Sequence, residues 1–347
     1  MYIDAHVHLR DFNQKYKETI KHGLEVAFDS GVDAVFDMPN TDPSITTREL
    51  VMERLKLVKE ANIPEVFYGI YMGITKDPEQ IKQAVETHRE LPQVVGMKLY
   101  AGHSVGSLGV IKFEDQQTVY ETLAKEGYDG LLVVHAEKES LIKHELWNPN
   151  DPISHCYARP PISEIESIYD QLKLVNRTQF RGKLHITHIS SLSGVDVVDN
   201  AKKNGIDISC GICPHHFIYD WEQMKAERGI LWKMNPPLRS PESRERILQA
   251  LKNGKIDWIE TDHAPHSLEE KTKDKFLSGI PGLAWWPLFE EYLRQNDFSY
   301  DQIEKLTFSN IINRFNLNIT KTKRTLKDHR DDYSFNPYQK IEEELRK

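Results

Sequence analysis

Two histidines near the start of the chain, His6 and His8, have the spacing of a metal-binding pair. They end a run of apolar residues that begins at Tyr2. Successive side chains of a β-strand point to opposite faces, so two residues separated by one share a face and their imidazoles can converge on one ion. A polar strand face or a cross-strand hydrogen-bonding pair would have the same spacing, so the pair alone leaves these interpretations open.

The elements that would position this pair follow a regular order along the chain. Eight short apolar or β-branched runs alternate with amphipathic stretches of helical length, which predicts an α/β fold with a parallel sheet, best arranged as a (β/α)8 barrel. The predicted strands are 2–7, 33–38, 66–72, 94–99, 131–135, 184–187, 206–212 and 257–261. The predicted helices are 18–30, 47–61, 77–90, 115–127, 164–178, 193–204 and 242–253.

Polar residues able to bind metal follow several of the predicted strands. Active sites of (β/α)8 barrels lie at the carboxyl ends of the strands. The residues at these ends are His6, His8, Asn40, Lys98, His135, His188 and Asp262. Each has an ordinary structural interpretation when taken alone, but four histidines and an aspartate that converge on one mouth predict a metal site.

Lys98 is the unexpected member of this set, because an ammonium group repels a cation held by histidines. A neutral lysine amine reacts with carbon dioxide to give a carbamate, which is anionic and has two oxygens that can bridge two metal ions. A cationic pocket favours this reaction because it lowers the pKa of the amine. Two such ions could share one hydroxide, formed with a pKa well below that of water.

Composition limits the classes of function that the chain could have. Its 347 residues carry a net charge of -8, and the scattered basic residues argue against a nucleic-acid surface. No apolar stretch is long enough for a membrane span and the start lacks a signal segment, so we expect a cytoplasmic enzyme with a small-molecule substrate. Three cysteines, Cys156, Cys210 and Cys213, indicate reduced thiols, and the C-x-x-C spacing of the last two is interpreted as a pair of buried strand thiols.

Six motifs across residues 1–290 resemble, in order, those of the dihydroorotases, a family of cyclic amidohydrolases. They are Asp4-Ala-His6-Val-His8-Leu-Arg10-Asp11, Met38-Pro39-Asn40-Thr41, Gly96-Met97-Lys98-Leu99-Tyr100, His135-Ala136-Glu137, Thr187-His188 and Thr261-Asp262-His263-Ala264-Pro265-His266. The resemblance implies the reversible cyclisation of N-carbamoyl-L-aspartate to L-dihydroorotate in pyrimidine biosynthesis.

The resemblance also implies roles for the residues at the strand ends. One zinc ion would be held by His6, His8, Asp262 and Lys98 as N6-carboxylysine, and a second by Lys98, His135 and His188. A hydroxide that bridges the two ions would attack the ring carbonyl, and Asp262 would act as the general acid and base. Ring closure would then be favoured at lower pH. Manganese or cobalt could replace zinc in such a site.

The substrate contacts implied by the resemblance distinguish this family from its relatives. They are Arg10 and Asn40 for the substrate carboxylate, His266 for the same ligand, Asn235 for the ring, and Pro281 and Gly282 in the loop after strand eight. A guanidinium offers two parallel donors to a carboxylate, which hydantoin lacks, so Arg10 favours an acidic ring. A surface ion pair for Arg10, a hydantoinase or allantoinase activity, and a non-catalytic scaffold of the same fold remain alternatives.

The chain departs from the family pattern in its organisation. We expect a catalytic barrel over residues 1–320 and a charged C-terminal extension over residues 321–347, which is too short to complete the accessory β-sandwich common in this branch. The chain therefore resembles a short, barrel-only form, which leaves open the contacts, oligomer contacts included, that the sandwich would make. A homodimer or a partner subunit of the pyrimidine pathway is the expected association.

Two segments stay without an assigned role. The segment 101–110 contains three glycines and His103, and is either a mobile loop over the site or a plain solvent loop. The motif Cys213-Pro214-His215-His216 ends the seventh predicted strand, and we interpret its two histidines as supporting or structural residues, because the two-metal set is complete without them.

Overall fold

A computed structural model describes residues 1–103, 107–273 and 275–346 of the chain. It has eight parallel strands in one sheet, ordered β1 to β8 as they occur in the sequence. The strands are β1 Tyr2–Val7, β2 Val32–Asp37, β3 Phe67–Gly73, β4 Val94–Tyr100, β5 Leu131–His135, β6 Lys183–Ile186, β7 Ile208–Ile212 and β8 Trp258–Ile259. This order confirms the predicted (β/α)8 barrel, and the carboxyl ends of all eight strands meet at one mouth.

The barrel closes between β1 and the segment that follows β8. Val7 and His263 form a parallel bridge, and the backbone N–H of His8 donates to the carbonyl of His263 at 2.8 Å. β8 is shorter than its predicted span of 257–261. Beyond Ile259 the N–H of Thr261 donates to the side-chain carboxylate of Asp4 in β1 at 3.0 Å, instead of to a backbone carbonyl of a neighbouring strand.

Within the described ranges, fourteen α-helices surround or follow the strands. They are α1 Ile20–Asp29, α2 Arg48–Ala61, α3 Pro78–Glu90, α4 Phe113–Lys125, α5 Ser154–Ala158, α6 Pro161–Thr178, α7 Leu192–Lys203, α8 Pro214–Ile218, α9 Pro241–Lys252, α10 Leu268–Thr272, α11 Trp286–Gln295, α12 Tyr300–Glu304, α13 Asn310–Phe315 and α14 Gln339–Leu345. Local sequence sets several of their starts. Thr47 caps α2 by accepting from the N–H of Leu50, and Asp77 caps α3 ahead of Pro78 in the first turn.

The barrel has two apolar layers. Almost every strand residue is buried, as expected for a parallel sheet covered by helices on one face and packed against itself on the other. The inner layer joins side chains of different strands to residues near the C-terminus, and includes Ile3, Ala5, Ala34, Phe36, Tyr71, Val133, Trp258, Phe308 and Ile311. The inner layer is a packed core rather than a pore, and it supports the mouth from below.

Residues after 320 lie against the barrel. Arg324 pairs with Asp33 at the start of β2, and Tyr338 is fully buried with its ring 4.7 Å from that of Phe289 in α11. The division into a barrel over 1–320 and an extension over 321–347 stays a prediction. No helix in the described ranges combines the length and the apolar character needed to cross a bilayer.

Candidate active site

The mouth of the barrel brings together His6, His8 and Asp262. Oδ1 of Asp262 lies 3.3 Å from Nε2 of His6 and 2.9 Å from Nε2 of His8, and one ligating atom from each residue lies within 4.8 Å of the other two. Two imidazole nitrogens and a carboxylate oxygen in this arrangement match the donor set of a divalent metal ion.

A second pair of ring nitrogens lies beside this group. Nδ1 of His135 is 3.0 Å from Nε2 of His188, and the ring of His188 is 5.2 Å from that of His6. Burial lowers the pKa of all four histidines, and that of His6 to about 4. Neutral imidazole is the form that binds metal, so the two adjoining groups can hold two ions.

Lys98 lies next to both groups and is completely buried. Its ammonium donates to Oγ1 of Thr187 at 3.3 Å and lies 5.2 Å from the centre of the Tyr100 ring. Burial lowers its pKa to about 8, although the charges of Glu260 and Asp262 oppose this shift. The neutral amine needed for carbamate formation is therefore far more accessible than in an exposed lysine.

Polar groups behind the histidines fix their orientation. The other nitrogen of His8 is 2.7 Å from Oδ1 of Asn40, and that of His135 is 3.2 Å from Oε2 of Glu137. Glu137 in turn accepts from Arg159 at 2.5 Å. Carboxylate or carbonyl partners of this kind fix the tautomer and ring direction of metal-binding histidines.

Glu260 has the corresponding position behind His6. Its Oε1 lies 3.7 Å from Nδ1 of His6 and accepts from the backbone N–H of His188 at 2.7 Å, while Oε2 accepts from the indole of Trp258 at 2.9 Å. From sequence, Glu260 and Arg159 have no predicted role, and Glu137 is only part of a motif. Glu260 and Glu137 could have been found from their positions two residues from Asp262 and His135, whereas Arg159 follows α5 and carries no spacing signal.

Three residues of the site have a left-handed backbone. Arg10, His188 and Asp262 have φ values of 39°, 38° and 50°. Residues other than glycine rarely adopt this conformation, and where they do the surrounding structure must hold them. Each follows a strand by two or three residues, so the turn directs its side chain into the mouth.

These groups share one pocket at the mouth of the barrel. It is lined by His6, His8, Arg10, Asn40, Lys98, Tyr100, His135, His188, Asn235, Asp262, Ala264, Ser278 and Gly279. All the predicted metal ligands are therefore brought together with three of the predicted substrate contacts.

The side of the pocket away from the histidines carries the buried guanidinium of Arg10. Its terminal nitrogen is 3.1 Å from Nε2 of His266, and its Nε donates to the carbonyl of Pro265 at 3.3 Å. Asn235 lies nearby, and its Oδ1 accepts from Nε2 of His155 at 3.0 Å and from the hydroxyl of Ser278 at 3.2 Å. These contacts leave the amide N–H groups of Asn235 as the donors available to a ligand.

The other three predicted substrate contacts, His266, Pro281 and Gly282, are not among the residues that line the pocket. His266 does not line the pocket but contacts Arg10, which does. Pro281 and Gly282 also lie outside the lining, where Ser278 and Gly279 take the corresponding place, and the N–H of Gly282 donates to Nδ1 of His263 at 3.1 Å.

The two segments without an assigned role differ in how much of them the structure describes. His216 approaches the carbonyl of Pro236 with Nε2 at 3.1 Å, and Cys213, His215 and His216 are buried together. All three cysteines are free and buried. The loop hypothesis for 101–110 falls partly on residues 104–106, which lie outside the described residues.

Comparisons with known proteins find relatives that are dihydroorotases. No family model matches the chain. It is 33% identical over 310 residues to the dihydroorotase of Lactobacillus helveticus (strain DPC 4571), which covers 87% of this chain and 69% of that protein. It is 31% identical over 326 residues to the dihydroorotase of Fusobacterium nucleatum subsp. nucleatum, covering 91% and 72% of the two chains.

Solved structures support the fold. The L-hydantoinase (dihydropyrimidinase) from Arthrobacter aurescens matches 91% of this chain with a TM-score of 0.79 and 24% identity, over 70% of its own length. Dihydropyrimidinase from Brevibacillus agri NCHU1002 matches 90% with a TM-score of 0.73 and 21% identity. At these identities the similarity concerns the barrel alone.

Proposed function

The chain belongs to the dihydroorotase family, and from this premise we propose that it interconverts N-carbamoyl-L-aspartate and L-dihydroorotate. The observation that carries the proposal is the buried guanidinium of Arg10, which lines the same pocket as the histidine and aspartate ligands. A substrate held there would place its carboxylate on Arg10 and its ring carbonyl near the metal-binding side. Hydantoin and allantoin have no carboxylate for this contact, so the pocket favours an acidic ring.

We propose that the site holds two divalent ions, zinc by its nitrogen and oxygen ligands. One would be bound by His6, His8 and Asp262 and the other by His135 and His188. When bound, the ions supply Lewis acidity for the ring carbonyl and lower the pKa of water into the range where hydroxide forms. The neutral histidines and the partners behind them, Asn40 and Glu137, support this assignment.

Lys98 is proposed to bridge the two ions as N6-carboxylysine. Its neutral amine would add to the carbon of carbon dioxide, forming an N–C bond and releasing one proton. The resulting carbamate is an anion that the surrounding cations stabilise, whereas an ammonium at the same buried position would oppose metal binding. The lowered pKa of Lys98 and its position in the pocket that both ligand groups line support this step.

Asp262 is proposed to move the proton. In ring opening its carboxylate accepts a proton from the attacking water and passes it to the amide nitrogen that leaves. In ring closure the order reverses, and Asp262 must begin protonated. Burial alone would raise the pKa of Asp262, but its contacts with His6 and His8 lower it overall, so the side chain is ionised and its carboxylate is free to accept a proton.

The alternative of a non-catalytic scaffold finds little support, because every ligand position is filled by a competent residue. We further propose, from the family resemblance alone, a cytoplasmic location and association with a second copy or with another enzyme of the pathway.

The test is hydrolysis of dihydroorotate, compared with hydantoin and allantoin, by protein loaded with zinc and bicarbonate. We expect turnover of dihydroorotate alone, lost on chelation. Turnover of the rings without a carboxylate would instead assign a hydantoinase or allantoinase activity. Absence of all turnover in metal-loaded, folded protein would favour a missing partner subunit or the scaffold.

A further inference from the structure

A second group of metal-ligating side chains lies outside the pocket, where the C-terminal segment crosses helix α1. It consists of His22 from α1 and of His329 and Asp332 from the segment that follows residue 320, and we call it the His22 cluster. Oδ2 of Asp332 is 3.1 Å from Nε2 of His22 and 2.8 Å from Nδ1 of His329. We propose that the His22 cluster binds a divalent transition-metal ion, zinc by its ligand types.

The spacing of the three ligand atoms is close to what an ion requires. The nitrogens of His22 and His329 and the oxygen of Asp332 all lie within 4.8 Å of one another. In a tetrahedral site with bonds near 2.0–2.1 Å, ligand atoms lie about 3.3 Å apart. An ion therefore fits after the carboxylate withdraws by a few tenths of an ångström, and because the side chains are partly exposed, water can complete the coordination.

The groups behind the two histidines are the strongest argument for a metal. Nδ1 of His22 is 3.1 Å from Oε1 of Glu18, and Nε2 of His329 is 2.8 Å from Oδ2 of Asp29. The side chains of Glu18 and Asp29 are 0% and 8% exposed, so both carboxylates are fixed. Each ring can thus donate its outer N–H to a fixed carboxylate, which leaves the inner nitrogen, the one that faces Asp332, as the atom available to a metal ion.

Charge favours the same conclusion. Three carboxylates, those of Glu18, Asp29 and Asp332, surround the two rings, and Lys327 contacts Asp29 at 3.2 Å. Without a metal, both inner nitrogens must be protonated, since a lone pair facing a carboxylate is repelled. One divalent ion replaces these two protons and holds all three ligands at once, which an ion pair between exposed side chains does only weakly.

A metal at the His22 cluster would attach the C-terminal segment to the barrel beside the active site. The hydroxyl of Tyr333 donates to Oε1 of Glu18 at 3.0 Å, and the other oxygen of Glu18 lies 3.0 Å from Nε2 of His263. The hydroxyl of Ser334 donates to the carbonyl of His266 at 3.2 Å. The ion would therefore be structural and would stabilise the position of this segment.

Zinc content of the whole protein tests the proposal. Wild type, His329→Ala, Asp332→Asn and Arg330→Gln are saturated with zinc, dialysed against the same low free zinc concentration, and measured for zinc per chain and for Tm. Arg330 is the matched control, because it lies between the ligands in sequence and pairs with Glu342 at 2.9 Å, but supplies no ligand. Zinc in the active site is common to all four proteins and cancels in the comparison.

We expect wild type and Arg330→Gln to hold one more zinc per chain than His329→Ala and Asp332→Asn, and zinc to raise Tm more in the first pair. Equal zinc content in all four would overturn the proposal and assign a protonated ion-pair network. If a variant fails to fold by circular dichroism, His22→Gln takes its place. Its amide can still contact Glu18 but has no ring nitrogen facing Asp332, so the same difference in zinc content decides.

Discussion

The ammonium group of Lys17 lies 3.2 Å from Nδ1 of His266. Burial holds the pKa of His266 well below its usual range, so the ring is neutral and carries one proton. An ammonium can only donate, so Nδ1 must be the acceptor and Nε2 must carry the proton, which it donates to the carbonyl of Ser278 at 3.0 Å. The terminal nitrogen of Arg10, 3.1 Å from Nε2, therefore meets a second donor rather than an acceptor there, which leaves its N–H groups for a ligand in the pocket.

Loss of the contact between Lys17 and His266 should weaken substrate binding. Lys17→Met removes the donor that fixes the tautomer, so His266 can turn its acceptor nitrogen to Arg10 and compete with the substrate carboxylate. We expect KM for dihydroorotate to rise about 3- to 10-fold with kcat within twofold, as for the loss of one hydrogen bond of ordinary strength. The exposed Lys15→Met is the control, and an equal effect of both variants would contradict the tautomer argument.

Arg10→Gln should have a larger effect on substrate binding. The substitution removes a charged, two-donor contact to the substrate carboxylate, which is worth about 1.5–3 kcal/mol, or roughly 10- to 150-fold in KM. Metal content should stay unchanged, because Arg10 binds no ligand residue through its guanidinium. Steady-state kinetics and elemental analysis check both parts, and an unchanged KM would remove the carboxylate-binding role.

Lys98→Ala should abolish activity and reduce metal content, since it removes the proposed bridge between the two ions. Short carboxylic acids that can enter the cavity should restore part of both. Mass spectrometry of the folded, metal-loaded wild type under non-denaturing conditions should show one added carbon dioxide per chain, absent in the variant. Full metal content and activity in Lys98→Ala would exclude the bridge.

Glu137→Gln tests the group that orients His135. Loss of a carboxylate behind a metal-binding histidine typically lowers metal affinity by about 10- to 100-fold. We expect this loss for one of two ions, measured by competition with a chelator. Glu139→Gln is the control, because that carboxylate lies nearby but pairs with His103 and His144 outside the site. Equal affinities in the two variants would show that Glu137 serves the fold alone.

Much of the barrel could be predicted from sequence because parallel strands buried on both faces leave clear apolar runs. The ends of β1 and β5 are as predicted, and the metal-ligand positions follow from the rule that strand ends meet at one mouth. The convergence of His6 and His8 needed more than strand alternation, since the register between β1 and β2 shifts between Asp4 and Val7. Such irregularities redirect side chains and leave no signature in the spacing.

The residues behind the site could not be predicted for a different physical reason. Arg159 reaches Glu137 from another element, and Glu260 contacts His6 where the end of β8 meets β1, so both contacts depend on tertiary packing. From sequence, the segment after residue 320 is predicted to be a charged extension. In the structure its Arg324 and His329 pair with Asp33 and Asp29 of the barrel. Composition does not predict which charged residues of the barrel pair with this segment.

Lys233, at the edge of the site, should make stability depend on pH. Burial, with the charge of Arg159, lowers its pKa to about 8, while its ammonium donates to Ser278 at 3.0 Å and lies 5.1 Å from the Trp147 ring. Below pH 8 the lysine is protonated in both the folded and unfolded states, and the full cost of burying the charge is present. Between about pH 8 and 10.5 only the unfolded chain is protonated, so this cost disappears as pH rises.

Lys233→Met keeps the apolar stem and removes the charge. We expect it to increase the free energy of unfolding at pH 7 by about 1–2 kcal/mol, after subtraction of the lost hydrogen bond, and to have no benefit near pH 10.5. Urea unfolding of metal-saturated protein at both pH values, with the exposed Lys82→Met as control, measures the difference. A gain of equal size at the two pH values would mean that the substitution acts through packing, because only a titrating ammonium makes the benefit vanish as the unfolded lysine loses its proton.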